Sequence, residues 1–351
     1  MAGTTDGAVM TVLGPVDPGR LGITLVHEHI WMDSTPMLAA HGYDPDADGP
    51  FDAARAAEAR WNPGTHPDNY RLTDADLIAA ELAHLATAGA ATVVDVTPVE
   101  LGRDPTALES LARSTGLNIV MGAGHYLAAV HGPEVAARPE RDLTALLVDE
   151  VENGVGGTGI RPGIIGEIGT SDPPVGADLR VLRAAAAAAL ATGLAVSVHL
   201  HPWGRTGELV ADTLLEAGAP PDRIVLGHLT TAHADADYLA ALAGRGTWLA
   251  FDLVGFDHSL LGAGRYPPSD ADVVETVARL VGEGLGDRIL VSQDLGVRSR
   301  LHAYGGWGYD HLLRHVVPLL RAAGLDDGDV ERLLVDNPRR LLTVRPPGSP
   351  R

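Results

Sequence analysis

Residues 163–169 read GIIGEIG, a short apolar run bounded by glycines and carrying one carboxylate, Glu167. The run lacks the alternation of a half-exposed strand and is too short for a helix. It therefore reads as a parallel strand buried on both faces. Seven similar runs occur: GITLVHEHI (22–30), ATVVDVT (91–97), NIVMGAG (118–124), AVSVHLH (195–201), RIVLGHL (223–229), TWLAFDL (247–253) and RILVSQD (288–294). Helical patterns separate them over 74–88, 105–115, 141–152, 177–192, 207–217, 235–243 and 271–284. A segment at 308–323 and a further helix near 327–336, ending before NPRRLL, follow the last run. Eight β-α units predict an α/β fold, a (β/α)8 TIM barrel, with residues 1–351 as a single domain; a doubly wound open sheet is the alternative. The one long interruption, residues 31–72, follows the first strand. A lid or wall at the barrel mouth is its expected role.

Composition narrows the chemistry. The chain has 46 acids against 26 bases, a net charge of −20, which disfavours nucleic acid and anionic membrane surfaces as partners. It contains no Cys, which removes disulfides, thiolate metal sites and cysteine nucleophiles. It also contains no Lys, so a Walker A loop, a Schiff-base lysine and a modified-lysine metal ligand are excluded. The N-terminus lacks the pattern of a signal peptide and no stretch reads as a membrane span, so a cytoplasmic location is expected.

The polar residues collect at strand ends. The first strand ends in His27-Glu28-His29, where spacing by two puts both histidines on one face and Glu28 on the other, as an outward structural residue. Glu167 lies late in the fourth strand, His199 in the fifth, His228 ends the sixth and Asp294 the eighth. In a barrel these ends converge on the C-terminal face, where active sites sit. A single histidine at a strand end is ordinarily a hydrogen-bonded core residue. Four imidazoles and two carboxylates on one rim instead suit Zn, Mn, Co, Ni or Fe. Six ligands exceed the needs of one catalytic zinc and fit two divalent metal ions sharing a carboxylate. By contrast, GVGGTG (154–159) follows a helix and precedes a strand, the reverse of a dinucleotide fingerprint. His311 and His315 have helical spacing but lack the adjacent Glu of a zincin.

The segments TVLGPVDPGRLGITLVHEHIWMD, GIIGEIG, IVLGHL, ILVSQD and YGGWGYDHLLRHVVPLLRAAG resemble the phosphotriesterase family of the amidohydrolase superfamily, and most of all its phosphotriesterase-homology branch. The resemblance runs from about residue 10 to about residue 343. It implies a binuclear site with His27, His29 and Asp294 on one metal, His199 and His228 on the other, and Glu167 as the bridge. It also implies a homodimer. True phosphotriesterases place an Asp after the strand-six His and a His after strand seven, where this chain has Thr231 and Leu253. That departure directs the expectation away from organophosphates.

The expected reaction is hydrolysis of a carbonyl substrate (lactone, ester or amide) by a metal-bridging hydroxide, with Asp294 as general base. The alternatives are a phosphotriesterase or phosphodiesterase, and a non-catalytic metal-bearing binding protein. Arg205, Arg298 and Arg300 follow strands five and eight and are candidates to clamp an anionic small-molecule substrate; solvated loop arginines are the plainer reading. Tyr126 is a candidate partner for the substrate carbonyl or a plain wall residue. Asp252 is a candidate for polar substrate contact or for support behind the ligands.

Overall fold

The computed structural model describes residues 7–40, 51–256 and 265–346. The ends of the 1–351 span and residues 41–50 of the 31–72 insertion lie outside the described residues. Eight strands form one parallel sheet in chain order: β1 (Ile23–Glu28), β2 (Ala90–Asp95), β3 (Asn118–Ala123), β4 (Ile164–Gly169), β5 (Val196–His199), β6 (Ile224–Leu226), β7 (Trp248–Phe251) and β8 (Ile289–Val291). The first and last edges meet at the mouth. There the Asp294 N–H donates to the His27 carbonyl (3.0 Å) and the His29 N–H to the Leu295 carbonyl (3.2 Å). The sheet is thus nearly closed into the expected TIM barrel.

Helices α1 (Ala75–Thr87), α2 (Pro105–Thr115), α3 (Glu140–Asn153), α4 (Gly176–Thr192), α5 (Gly207–Glu216), α6 (Ala236–Gly244) and α7 (Asp270–Gly282) alternate with the strands. Their starts and stops follow local chemistry. The Asp74 carboxylate accepts the Leu77 N–H ahead of α1, and Gly193 at φ 75° ends α4. Leu25, Val93, Ile119, Ile165, Val198 and Leu249 pack outward against helix residues such as Leu82, Leu108 and Leu182. Their strand neighbours Val26, Val94, Val120, Ile164, Val225, Ala250 and Leu290 form a second cluster that fills the barrel interior. Both strand faces are therefore apolar, which is why the runs show no alternation.

Besides a shift between Ile23 and Thr24 at the start of β1, register irregularities fall between Leu25 and Glu28 in β1 and between Ile165 and Ile168 in β4. Strict period-two counting from Leu25 and Ile165 would send His27 and Glu167 outward to the helices. The irregularities re-aim both side chains into the mouth, as strand bulges do.

The C-terminal region departs from expectation. The last helix does not stop before NPRRLL: Asp327–Glu331 leads through a wide π-helical turn, Arg332–Asp336, into Asn337–Leu342. A second π-helical turn, Leu312–Val316, precedes Val317–Ala322. Each turn stands just before a proline, Pro338 or Pro318. Proline lacks an N–H and crowds the carbonyl four residues back, and the wider turn relieves that conflict without ending the helix. Among the described residues no helix is long and apolar enough to cross a membrane.

Asn337 ties this last helix beneath β8. Fully buried, it donates to the carbonyls of Gly286 (2.8 Å) and Ile289 (2.7 Å). Asn337→Ala leaves both acceptors dry, and a loss of about 1–3 kcal/mol is expected in a urea unfolding curve. An unchanged midpoint would mean that the contacts carry no stability.

Candidate metal centre

The barrel mouth brings together His27, His29, Glu167, His199, His228 and Asp294. The Glu167 carboxylate stands in the middle. Its Oε2 lies 3.4 Å from His27 Nε2, 3.2 Å from His199 Nδ1 and 3.7 Å from His228 Nε2, while Oε1 lies 3.5 Å from His29 Nε2. Asp294 Oδ1 is 3.1 Å from His29 Nε2 and 3.7 Å from His27 Nε2. Among the described residues three groups have their donor atoms within 4.8 Å of one another: His27, His29 and Asp294; Glu167, His199 and His228; and, on the far side of the rings, His27, His228 and Asp252.

The donor set fits a borderline cation such as zinc. Bonds of about 2.1 Å to a tetrahedral ion place neighbouring donors roughly 3.4 Å apart, the spacing found around Glu167 and Asp294. His27 Nε2 is buried without a hydrogen-bond partner among the described residues. His228 Nε2 and His199 Nδ1 approach to 2.7 Å, two imidazole nitrogens converging on one point. Buried nitrogens so arranged are poorly served by protein alone.

The electrostatics follow from this crowding. Burial alone would raise the Glu167 carboxyl, but the imidazoles of His199, His228 and His27 hold it well below the usual carboxylate range. Burial depresses His27, yet Asp252 and Glu167 lift it to about 9; for His29, Asp294 and Glu167 outweigh burial and lift it to about 10. His199 goes the other way, lowered by burial and by His228.

A layer of acids behind these residues fixes their geometry. Asp252, fully buried, accepts the His228 backbone N–H (2.8 Å) and lies 3.1 Å from His228 Nδ1 and 3.2 Å from His27 Nδ1. It stands behind two histidines and is not among the residues that line the cavity over them. Asp95 accepts the N–H groups of Ile30 (2.6 Å), Trp31 (3.1 Å) and Thr97 (3.0 Å), and Thr97 Oγ1 meets His29 Nδ1 at 2.9 Å. Such partners set the ring orientation and tautomer of a metal-binding histidine. Glu28 faces away from the histidines, as expected, but it is buried in the β1–β8 seam, where burial pushes its carboxyl up to about 7. His228 (φ 58°) and Asp294 (φ 48°) adopt left-handed backbone, a strain of order 1–3 kcal/mol each that collects at functional sites.

A cavity of about 280 Å³ opens above this floor. Met32, Met37 and Tyr70 of the 31–72 insertion form part of its wall, with Tyr126, Trp203 and Phe256. Tyr126 Oη lies 3.1 Å from His199 Nδ1, so the tyrosine reaches the floor as well as the wall. His201 is also in the wall.

The three candidate arginines are not there. Arg205 is paired with Asp235 at 3.1 Å on the exposed rim and lies over the Tyr238 ring. Arg298 donates to the Arg71 carbonyl at 2.6 Å. Arg300 is buried and donates to the carbonyls of Gln293, Asp294 and Val254. Main-chain carbonyls took up Arg298 and Arg300, and the Asp235 carboxylate took up Arg205, which sequence alone does not display. The cavity arginine is Arg265, 6.0 Å from the centre of the Trp203 ring. Its position after strand seven, beside an aromatic-Pro-Pro turn, was the available signal. His311 meets Asp270 at 2.7 Å and lies tilted against the Trp307 ring, apart from the histidine cluster at the mouth.

The profile of the phosphotriesterase family matches residues 7–342. The chain belongs to the phosphotriesterase family. The N-acetyltaurine hydrolase of Danio rerio is 34% identical over 344 residues, covering 97% of this chain and 99% of that protein. Among solved structures, a resiniferatoxin-binding protein from Rhodobacter sphaeroides superposes with a TM-score of 0.91 at 38% identity, covering 96% of this chain and 95% of that one. The phosphotriesterase homology protein of Escherichia coli, complexed with phosphate in its active site, gives 0.78 at 29% identity, covering 93% and 100%. The phosphotriesterase-family enzyme described here is accordingly a hydrolase.

Raised imidazole pKa values have a measurable consequence. Without metal, the charged forms of His27 and His29 stabilise the fold below about pH 6.5, their unfolded value, and that contribution fades as pH rises through 9 to 10. A metal must displace these protons. Zinc added to the metal-free protein at neutral pH is expected to acidify a weakly buffered solution, with apparent affinity falling as pH falls. Uptake with no proton release would contradict the electrostatic picture.

Proposed function

We propose that this family member is a binuclear metal-dependent hydrolase acting on a small carbonyl substrate, an amide first, with lactone and ester as the related choices. The observation that carries the reading is the Glu167 carboxylate standing between two ligand sets. His27, His29 and Asp294 would hold one ion, His199 and His228 the other, and Glu167 would touch both. Zinc is the first candidate, with Mn, Co, Ni and Fe also compatible with the donors. Two such cations would lower the pKa of a water and polarise the carbonyl oxygen.

The side chains do the rest. Asp294 accepts the proton of the attacking water and delivers it to the leaving group, its carboxyl kept ionised because His29, His228 and His27 outweigh the effect of burial. Tyr126 stays a neutral donor, since burial and then the charges of Glu167 and Asp294 push its hydroxyl well above 10. It would hydrogen-bond the substrate carbonyl. The cavity wall excludes water from the reacting bond, and Arg265 supplies positive charge for an anionic tail. The amide preference rests on the N-acetyltaurine hydrolase relatives. The mostly apolar wall leaves room for a larger acyl group.

Three measurements test this reading. Metal analysis is expected to find about two equivalents per chain. Asp294→Asn should retain most of the metal yet lose at least 10²-fold in kcat, whereas Glu167→Gln should lose metal and activity together. On a panel of N-acyl amino acids, N-acyl aminosulfonates, lactones and organophosphates, the amides should be cleaved fastest. A wild-type rate highest on organophosphates would replace the carbonyl reading with the phosphoester one.

A further inference from the structure

The stretch Gln293-Asp294-Leu295 leaves no backbone polar group to solvent or chance. The Gln293 N–H donates to Glu28 Oε1 (2.9 Å) and the Leu295 N–H to Glu28 Oε2 (2.9 Å). The Ser292 hydroxyl also donates to Glu28 Oε1, at 2.8 Å. On the opposite side, one Arg300 nitrogen donates to the carbonyls of Gln293 (2.9 Å) and Asp294 (2.8 Å), and its partner reaches the Val254 carbonyl (2.8 Å). The remaining two groups close the barrel: the Asp294 N–H on the His27 carbonyl, and the Leu295 carbonyl on the His29 N–H.

From this pattern we propose that Glu28 and Arg300 are positioning residues, a two-sided clamp that fixes the left-handed backbone of Asp294 and so aims its carboxylate at His27 and His29. At φ 48° Asp294 is left-handed, a conformation Asp tolerates better than most L-residues but does not hold unaided. A carboxylate with two oxygens can take the amides on either side of Asp294 at once, and a planar guanidinium can take two successive carbonyls. The clamp also joins the ligands of one ion covalently, because Glu28 sits between His27 and His29. Any slackening at Glu28 loosens three ligands of that ion and leaves His199 and His228 untouched.

The inference rests on the function proposed above for Asp294, and its test separates the two. Glu28→Gln keeps the shape but turns an NH₂ group against the Leu295 N–H. Arg300→Lys keeps the charge but loses the planar fork. The full chain is loaded with zinc, and zinc is then removed by a graded chelator. In Glu28→Gln, one of two equivalents should weaken 10–100-fold, as for outer partners of metal ligands, while the other stays at wild-type affinity. On a substrate that the wild type cleaves, kcat should fall with KM little changed. Arg300→Lys should recover activity relative to Arg300→Met. Asn337→Ala serves as the control for lowered stability alone and should keep both equivalents. Retention of both ions at wild-type affinity, or parallel loss of both, would overturn the clamp. Should the wild type bind no zinc, the proposed function fails, and the crystal structure of Glu28→Gln then decides: Asp294 relaxed from left-handed backbone supports the clamp, and Asp294 unmoved refutes it.

Discussion

The structure turns on one buried carboxylate. Glu167 is 1% exposed, and four imidazole nitrogens lie within 3.7 Å of it. Burying an unpaired carboxylate is prohibitive, and pairing it with four histidines that cannot all be neutral and satisfied creates a second problem. The pair of cations proposed above would resolve both, since every nitrogen would then have a lone-pair acceptor. The barrel is the scaffold that makes this crowding possible. Parallel strands from distant parts of the chain end on one face, so residues 27 and 294 become neighbours.

Much of this was legible because the ligands lie at the ends of apolar runs, where a polar residue stands out. The absence of lysine made Glu167 the fourth-strand carboxylate to follow. What could not be read was direction and support. Alternation along β1 and β4 points His27 and Glu167 the wrong way, and two register irregularities, invisible in composition, correct it. The arginines after strands five and eight looked like anion clamps. Their guanidinium groups instead satisfy main-chain carbonyls and an exposed aspartate, partners set by loop paths that the sequence does not encode in any simple period. Glu28 was readable as structural, but not as the residue that stitches the first strand to the last.

Three acids beneath the floor explain how an acidic chain builds a cation site without collapsing into a tangle of alternative pairings. Asp252 holds His27 and His228, Asp95 holds the loop that carries His29, and Glu28 holds the stretch that carries Asp294. Each accepts backbone N–H groups, which commits its oxygens to holding the main chain. These carboxylates are spent on orientation. The oxygens left facing the mouth belong to Glu167 and Asp294, so the ligand set is selected by exclusion as much as by attraction.

Rigidity in the floor has a counterpart in the wall. The floor residues sit on or next to strands whose backbones are locked by the sheet, whereas the cavity wall comes from the segment after β1 and from loops after β2, β3, β5, β7 and β8. Loops tolerate change that a hydrogen-bonded strand end does not. A chain of this kind can therefore exchange Met37, Trp203, Phe256 or Arg265 and meet a different substrate, while the chemistry beneath stays the same. The same reasoning places the cost of error unequally. A wall substitution alters what enters, but a shift of Asp294 by a fraction of its reach would, on the function proposed above, cost an ion one of its ligands and the water its base.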